Sequence, residues 1–203
     1  MVADGVLTNP LAHATATALA LAGTTGRDDV TGVELEMLRA NPIESDDTSV
    51  ALIDLVGGRR LTTAVTLTAP QRRDAHVEVV GDRGSLRLMY QTGLVQTLDG
   101  GGAVVTEEEF GAEDLLENLL SARDGASDLL VPIAQTGAFM RLVDAVMTAP
   151  APRPIDERHI ERVVDDQGAH LVVDGVEQAI AQALVAERTF SGVGAAFAER
   201  AGA

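Results

Sequence analysis

Asn9 and His13 stand near the start of this chain, and His13 is of the type that could move a proton. They lie four apart in the run Gly5-Val6-Leu7-Thr8-Asn9-Pro10-Leu11-Ala12-His13. On a helix that spacing puts both on one face. An imidazole with an ordinary pKa of about 6.5 can give or take the proton of a substrate hydroxyl. The amide of Asn9 could orient either the ring or the substrate. The same residues also support a purely structural reading: an asparagine that caps a helix, and a histidine bonded to a backbone carbonyl.

Other chemistries find little material. His76, His159 and His170 share no ligand spacing, and a zinc site needs three or four converging ligands, so no metal is expected. The chain has no cysteine, and all fifteen basic residues are arginine, which removes thiolate and lysine Schiff-base chemistry. Gly100-Gly101-Gly102 is not followed by the lysine and the serine or threonine of a phosphate loop. No Gly-x-Gly-x-x-Gly follows a strand, so no cofactor-binding residue is assigned, and no serine sits in a nucleophile elbow. Asp46-Asp47-Thr48 reads as a capped turn ahead of a strand. Glu107-Glu108-Glu109 reads as a solvated loop.

The elements that must position Asn9 and His13 follow from pattern. Asn9 as N-cap, Pro10 in the first turn and Gly23 past the end predict a helix over 9–22. From 30 to 106 the period is two: Val33, Leu35 and Met37 alternate with Glu34 and Glu36, and Val65 and Leu67 with Thr66 and Thr68. Short glycine turns, Gly81-Asp82-Arg83-Gly84 among them, join successive strands. Helices are predicted over 112–124, 132–148 and 175–188. The charged stretch Asp156 to Asp166 is also read as helical, His170 to Val173 as a strand, and Phe190 to Phe197 as an apolar tail packed on the body. The expected fold is α+β: one two-layer domain over 1–203, an open and largely antiparallel sheet with helices on one face.

Composition sets the limits. The 203 residues are 46% hydrophobic and 23% charged, enough to fold, but only 2% are aromatic, so the core must be Ala, Val and Leu. A formal charge of −16 opposes binding to nucleic acid or to an anionic membrane. No apolar run is long enough to span a bilayer and no basic-then-apolar leader is present, so a cytoplasmic location is expected.

The opening run resembles the Gly-x-Leu-x-Asp-x-Gly-x-His motif of the glucose–fructose oxidoreductase / inositol dehydrogenase / rhizopine catabolism (Gfo/Idh/MocA) family, which begins that family's C-terminal domain. The resemblance continues along the chain. Arg39-Ala40-Asn41-Pro42-Ile43-Glu44-Ser45-Asp46-Asp47-Thr48 is similar to its second-strand turn. Val77-Glu78-Val79-Val80-Gly81-Asp82-Arg83-Gly84-Ser85-Leu86 is similar to its Gly-Thr-x-Gly hairpin. Leu116-Glu117-Asn118-Leu119-Leu120 and the segment from Val131 to Phe139 resemble its later helices.

The resemblance implies a substrate-binding and dimerisation domain, akin also to the C-terminal domain of glyceraldehyde-phosphate dehydrogenase. Members pair it with an N-terminal Rossmann domain that binds NAD or NADP and usually brings a lysine. They act mostly on sugars, cyclitols and related polyols. His13 then corresponds to the catalytic histidine and Asn9 to the motif's aspartate. Two departures stand out: Asn9 cannot serve as a base, and Leu11 replaces a glycine. Both point to a divergent substrate or weakened catalysis.

Two readings follow. The chain is half of an NAD(P)-dependent oxidoreductase, inactive without a Rossmann domain or partner chain, or it is a free-standing binding or dimerisation module without catalysis. Both predict a homodimer through the Thr-rich sheet face, which Thr66→Arg would convert to a monomer.

Overall fold

The computed structural model describes residues 4–71, 74–165 and 168–199. They form two compact units, one from residues 4–71 and 137–199 and the other from 74–136. In chain order the elements begin with helix α1 (Ala12–Leu21) and strands β1 (Val30–Arg39), β2 (Thr48–Leu55) and β3 (Arg60–Thr66). Strands β4 (Val77–Gly81), β5 (Gly84–Met89), β6 (Leu94–Leu98) and β7 (Val104–Glu109) lead to helix α2 (Leu115–Arg123). Helix α3 (Gly137–Thr148), strands β8 (Arg153–Pro154), β9 (Ile160–Asp165) and β10 (Gly168–Val173), and helix α4 (Val176–Ala186) complete the order.

The first unit is built on a four-stranded sheet in the order β3-β2-β1-β8. Its long strands are antiparallel, and only the short β8 joins β1 in parallel. The period of two sorts the side chains. Met37, Ala51, Ile53, Leu55 and Val65 meet Leu19 of α1 and Leu142 and Val146 of α3. Leu38, Val50 and Leu52 meet Val176, Ala179 and Ala183 of α4 together with Phe190 and Phe197. Those two rings lie edge to face with centroids 5.3 Å apart and complete the apolar tail expected at 190–197.

The fold class is therefore α+β with mainly antiparallel sheets, and its layering is fuller than patterning alone indicated. The Thr-rich face expected to stand open is covered by α4 and the segment after it. The reason is β2, buried from Thr48 through Ile53, which makes the second face as apolar as the first. Thr66 does not point to open solvent. Its hydroxyl lies 2.9 Å from that of Thr48 and 2.8 Å from that of Thr68, closing a small hydroxyl cluster. An arginine at Thr66 would perturb packing before it reported on association.

Several boundaries also differ from expectation. The helix expected over 156–166 is instead a short turn at Glu157–His159 followed by β9, which pairs with β10 as a hairpin; position 166 lies outside the described residues. Ile160, Val163 and Val164 favour an extended chain, which stops the turn that the Asp156 side chain opens by accepting the Arg158 N–H at 3.0 Å. α3 begins at Gly137 rather than 132, after a 3-10 turn at Ile133–Thr136.

The second unit is an antiparallel meander in the order β4-β5-β6-β7, with α2 after it. Gly84 closes the β4–β5 hairpin at a positive φ of 135°, where a Cβ would lie 2.3 Å from the Leu98 carbonyl oxygen. Glu107, Glu108 and Glu109 belong to β7 rather than to a loop, and all three are exposed. Asp114 caps α2 by accepting the N–H groups of Leu116 at 2.8 Å and Glu117 at 3.1 Å. Among the described residues no helix is long and apolar enough to cross a membrane.

Candidate functional site

The turn that launches α1 is held by buried carboxylates. Gly5 lies so close to Asp46 that a Cβ there would sit 1.6 Å from Asp46 Oδ1. Only glycine allows that approach. The Val6 N–H donates to the Asp46 carbonyl at 3.0 Å, and Ser49 Oγ donates to Asp46 Oδ2 at 2.7 Å. Burial raises the Asp46 pKa, while the Ser49 hydroxyl and backbone N–H groups pull it back. Its neighbour Asp47 is fully buried and clamps the loop after β1. It accepts the Ala40 N–H at 3.0 Å, the Asn41 N–H at 2.7 Å and Asn41 Nδ2 at 2.8 Å.

From that seat the chain turns rather than starting a helix at once. The N–H of Asn9 donates to the Gly5 carbonyl at 3.0 Å, and that of Leu11 to the Val6 carbonyl at 3.2 Å. α1 begins at Ala12, with Leu11 in the capping position and no side-chain cap. Asn9 is therefore not the N-cap. Its Nδ2 donates instead to Asp4 Oδ1, which drew it away from the helix end. Both Asn9 and His13 are exposed, and no hydrogen bond joins them. His13 lies exposed in the first turn of α1.

The other histidines are scattered: His76 near the Asp74 carbonyl, His159 beside Arg158, and His170 3.9 Å from Asp165. Among the described residues no group of three or more metal-capable side chains converges. The short β10–α4 connection carries a single glycine, Gly175, between Asp174 and Val176, with Glu177 in the first turn of α4. Two carboxylates at a helix N-terminus repel a pyrophosphate, so this junction does not fit a dinucleotide.

Sequence reasoning missed the roles of Gly5, Asp46 and Asp47 in seating the site. The available signal was a pair of adjacent carboxylates directly before an apolar strand. It also missed Glu36, which sits at 8% exposure on β1. Glu36 accepts Arg153 Nη2 at 2.7 Å and the Ser191 N–H at 2.9 Å, tying the C-terminal segment to the sheet.

No family model and no curated protein matches the sequence. Solved structures do match the fold. UDP-N-acetylglucosamine 3-dehydrogenase GnnA from Acidithiobacillus ferrooxidans is 12% identical with a TM-score of 0.56, over 71% of this chain and 46% of that one. The WlbA dehydrogenase from Bordetella pertussis, in complex with NADH and UDP-GlcNAcA, is 20% identical with a TM-score of 0.54, over 75% and 47%. An oxidoreductase from Agrobacterium radiobacter, in complex with NAD+, L-tartaric acid and magnesium, is 14% identical with a TM-score of 0.51, over 72% and 47%. At these identities the likeness establishes the fold alone. This chain spans about half the length of each of these oxidoreductases.

Proposed function

We propose that this chain is the substrate-binding half of an NAD(P)-dependent oxidoreductase acting on a sugar, cyclitol or related polyol. The observation that carries this reading is the fold match, which extends over roughly three quarters of the chain yet under half of WlbA. WlbA holds NADH and a nucleotide sugar, which supports the cofactor and substrate classes. The β10–α4 junction offers a dinucleotide no seat, and its binding is assigned to a Rossmann domain or a separate partner chain. The work of this chain is confined to the substrate hydroxyl. His13 holds or takes the proton, and Asn9, tethered to Asp4, orients the substrate rather than the imidazole. A homodimer belongs to the proposal, through a surface other than the Thr-rich face.

The second reading, a non-catalytic binding or dimerisation module, is favoured by one observation. Asn9 replaces an acid and its amide is engaged by Asp4, so no carboxylate holds the ring of His13.

The test is calorimetric titration of NADH into the chain, alone and mixed with a Rossmann-domain partner, followed by turnover assays. Binding and turnover only in the mixture, with turnover lost in His13→Ala, support the first reading. Silence in both settings supports the second.

A further inference from the structure

Arg39 and Arg162 line one groove of the first unit, and neither has an ion-pair partner among the described residues. Arg59, Arg83, Arg141 and Arg188 likewise have no carboxylate partner among the described residues; what sets Arg39 and Arg162 apart is that both line one groove. Elsewhere Arg27, Arg60, Arg87 and Arg153 each sit against a carboxylate. Arg39 donates to the Ile43 carbonyl, which turns its guanidinium without neutralising it. The groove holds about 810 Å³, within the range of small-molecule sites, roughly 300–1,000 Å³.

Strands place the backbone of both residues. Arg39 ends β1, next to the loop that Asp47 clamps through Ala40 and Asn41. Arg162 lies on β9 opposite Leu171 of β10. Pro42, Ile160 and Leu171 add apolar wall, and Glu157 is the one carboxylate in the lining. Guanidinium groups present planar forks of donors that match phosphate oxygens two at a time. The global charge of −16 repels anions, so a local cation pair is what an anionic ligand needs to bind at all.

We propose that this groove binds a phosphate monoester of a small molecule, with the phosphoryl dianion held by Arg39 and Arg162 and the organic body against Pro42, Ile160 and Leu171. Neither Asn9 nor His13 lines the groove, so the inference goes beyond the oxidoreductase reading and fails or stands separately from it.

The experiment is titration of the 203-residue chain with phenyl phosphate at pH 7.5, followed by NMR or calorimetry. Saturable binding is expected, weakened about tenfold or more in Arg162→Gln and in Arg39→Gln, the loss of one charge-assisted contact. Glu157→Gln tightens it severalfold. Arg188→Gln, which removes an equal charge outside the groove, leaves it unchanged. Absence of saturation, or an equal loss in Arg188→Gln, overturns the proposal. Benzoate binding as tightly as phenyl phosphate overturns the preference for a dianion, and inorganic phosphate binding as tightly overturns the role of the apolar wall.

Discussion

Two acidic runs of this chain, Asp46-Asp47 and Glu107-Glu108-Glu109, are alike in composition and opposite in consequence. The aspartates are buried and matched to donors: backbone N–H groups, Ser49, Thr48 and Asn41. The glutamates line an edge strand in water, and among the described residues only Glu107 is engaged by a side chain, Gln96 Nε2 at 2.7 Å. A carboxylate taken from water must recover its hydration through hydrogen bonds, and once it does so it fixes whatever donates to it. Here the donors are the turn before α1 and the loop after β1. The buried pair thus sets where His13 and Arg39 stand, and the exposed run sets nothing of the kind.

That contrast can be broken at either end. Asp47→Ala strands the N–H groups of Ala40 and Asn41 in a buried site and should cost about 3 kcal/mol or more, measured by urea unfolding. Gly5→Ala forces a Cβ into the Asp46 carboxylate and should cost about 2 kcal/mol or more, with the NMR resonances of the turn before α1 displaced. A wild-type-like Gly5→Ala would mean that the seat yields freely.

The pH dependence sharpens the same point. Burial raises the pKa of Asp46 in the folded chain, so the folded state takes up this proton at a higher pH than the unfolded state does. The contribution of Asp46 to stability is therefore greatest in acid. It declines as pH rises from the ordinary aspartate range through the raised value, and is flat above. Unfolding midpoints across that window should show this slope in the wild type and lose it in Asp46→Asn. Glu108→Gln should be the smallest effect, within about 0.5 kcal/mol at any of these pH values.

The sequence carried the fold class well because alternation survives in β1 and β3, and because Phe190 and Phe197 had to be buried. It misplaced the second face because β2 is apolar on both sides, and a strand buried on two faces loses the alternation that reveals direction. The turn before α1 was illegible for another reason. Asn9 and Pro10 are good helix starters in isolation, but Asp4 competes for the Asn9 amide and Asp46 holds the chain at Gly5. His13 could be proposed by type and spacing. Its support came from residues 33 positions away, which no local pattern encodes.

The central claim, that the chain supplies the substrate side of an oxidoreductase whose cofactor is held elsewhere, is tested most directly by titrating NADH into the purified chain and into its mixture with a Rossmann-domain partner. The account predicts no heat with the chain alone, saturable binding with the mixture, and turnover of a polyol or nucleotide sugar that His13→Ala abolishes. Tight NADH binding by the chain alone, or turnover that survives His13→Ala, would contradict it.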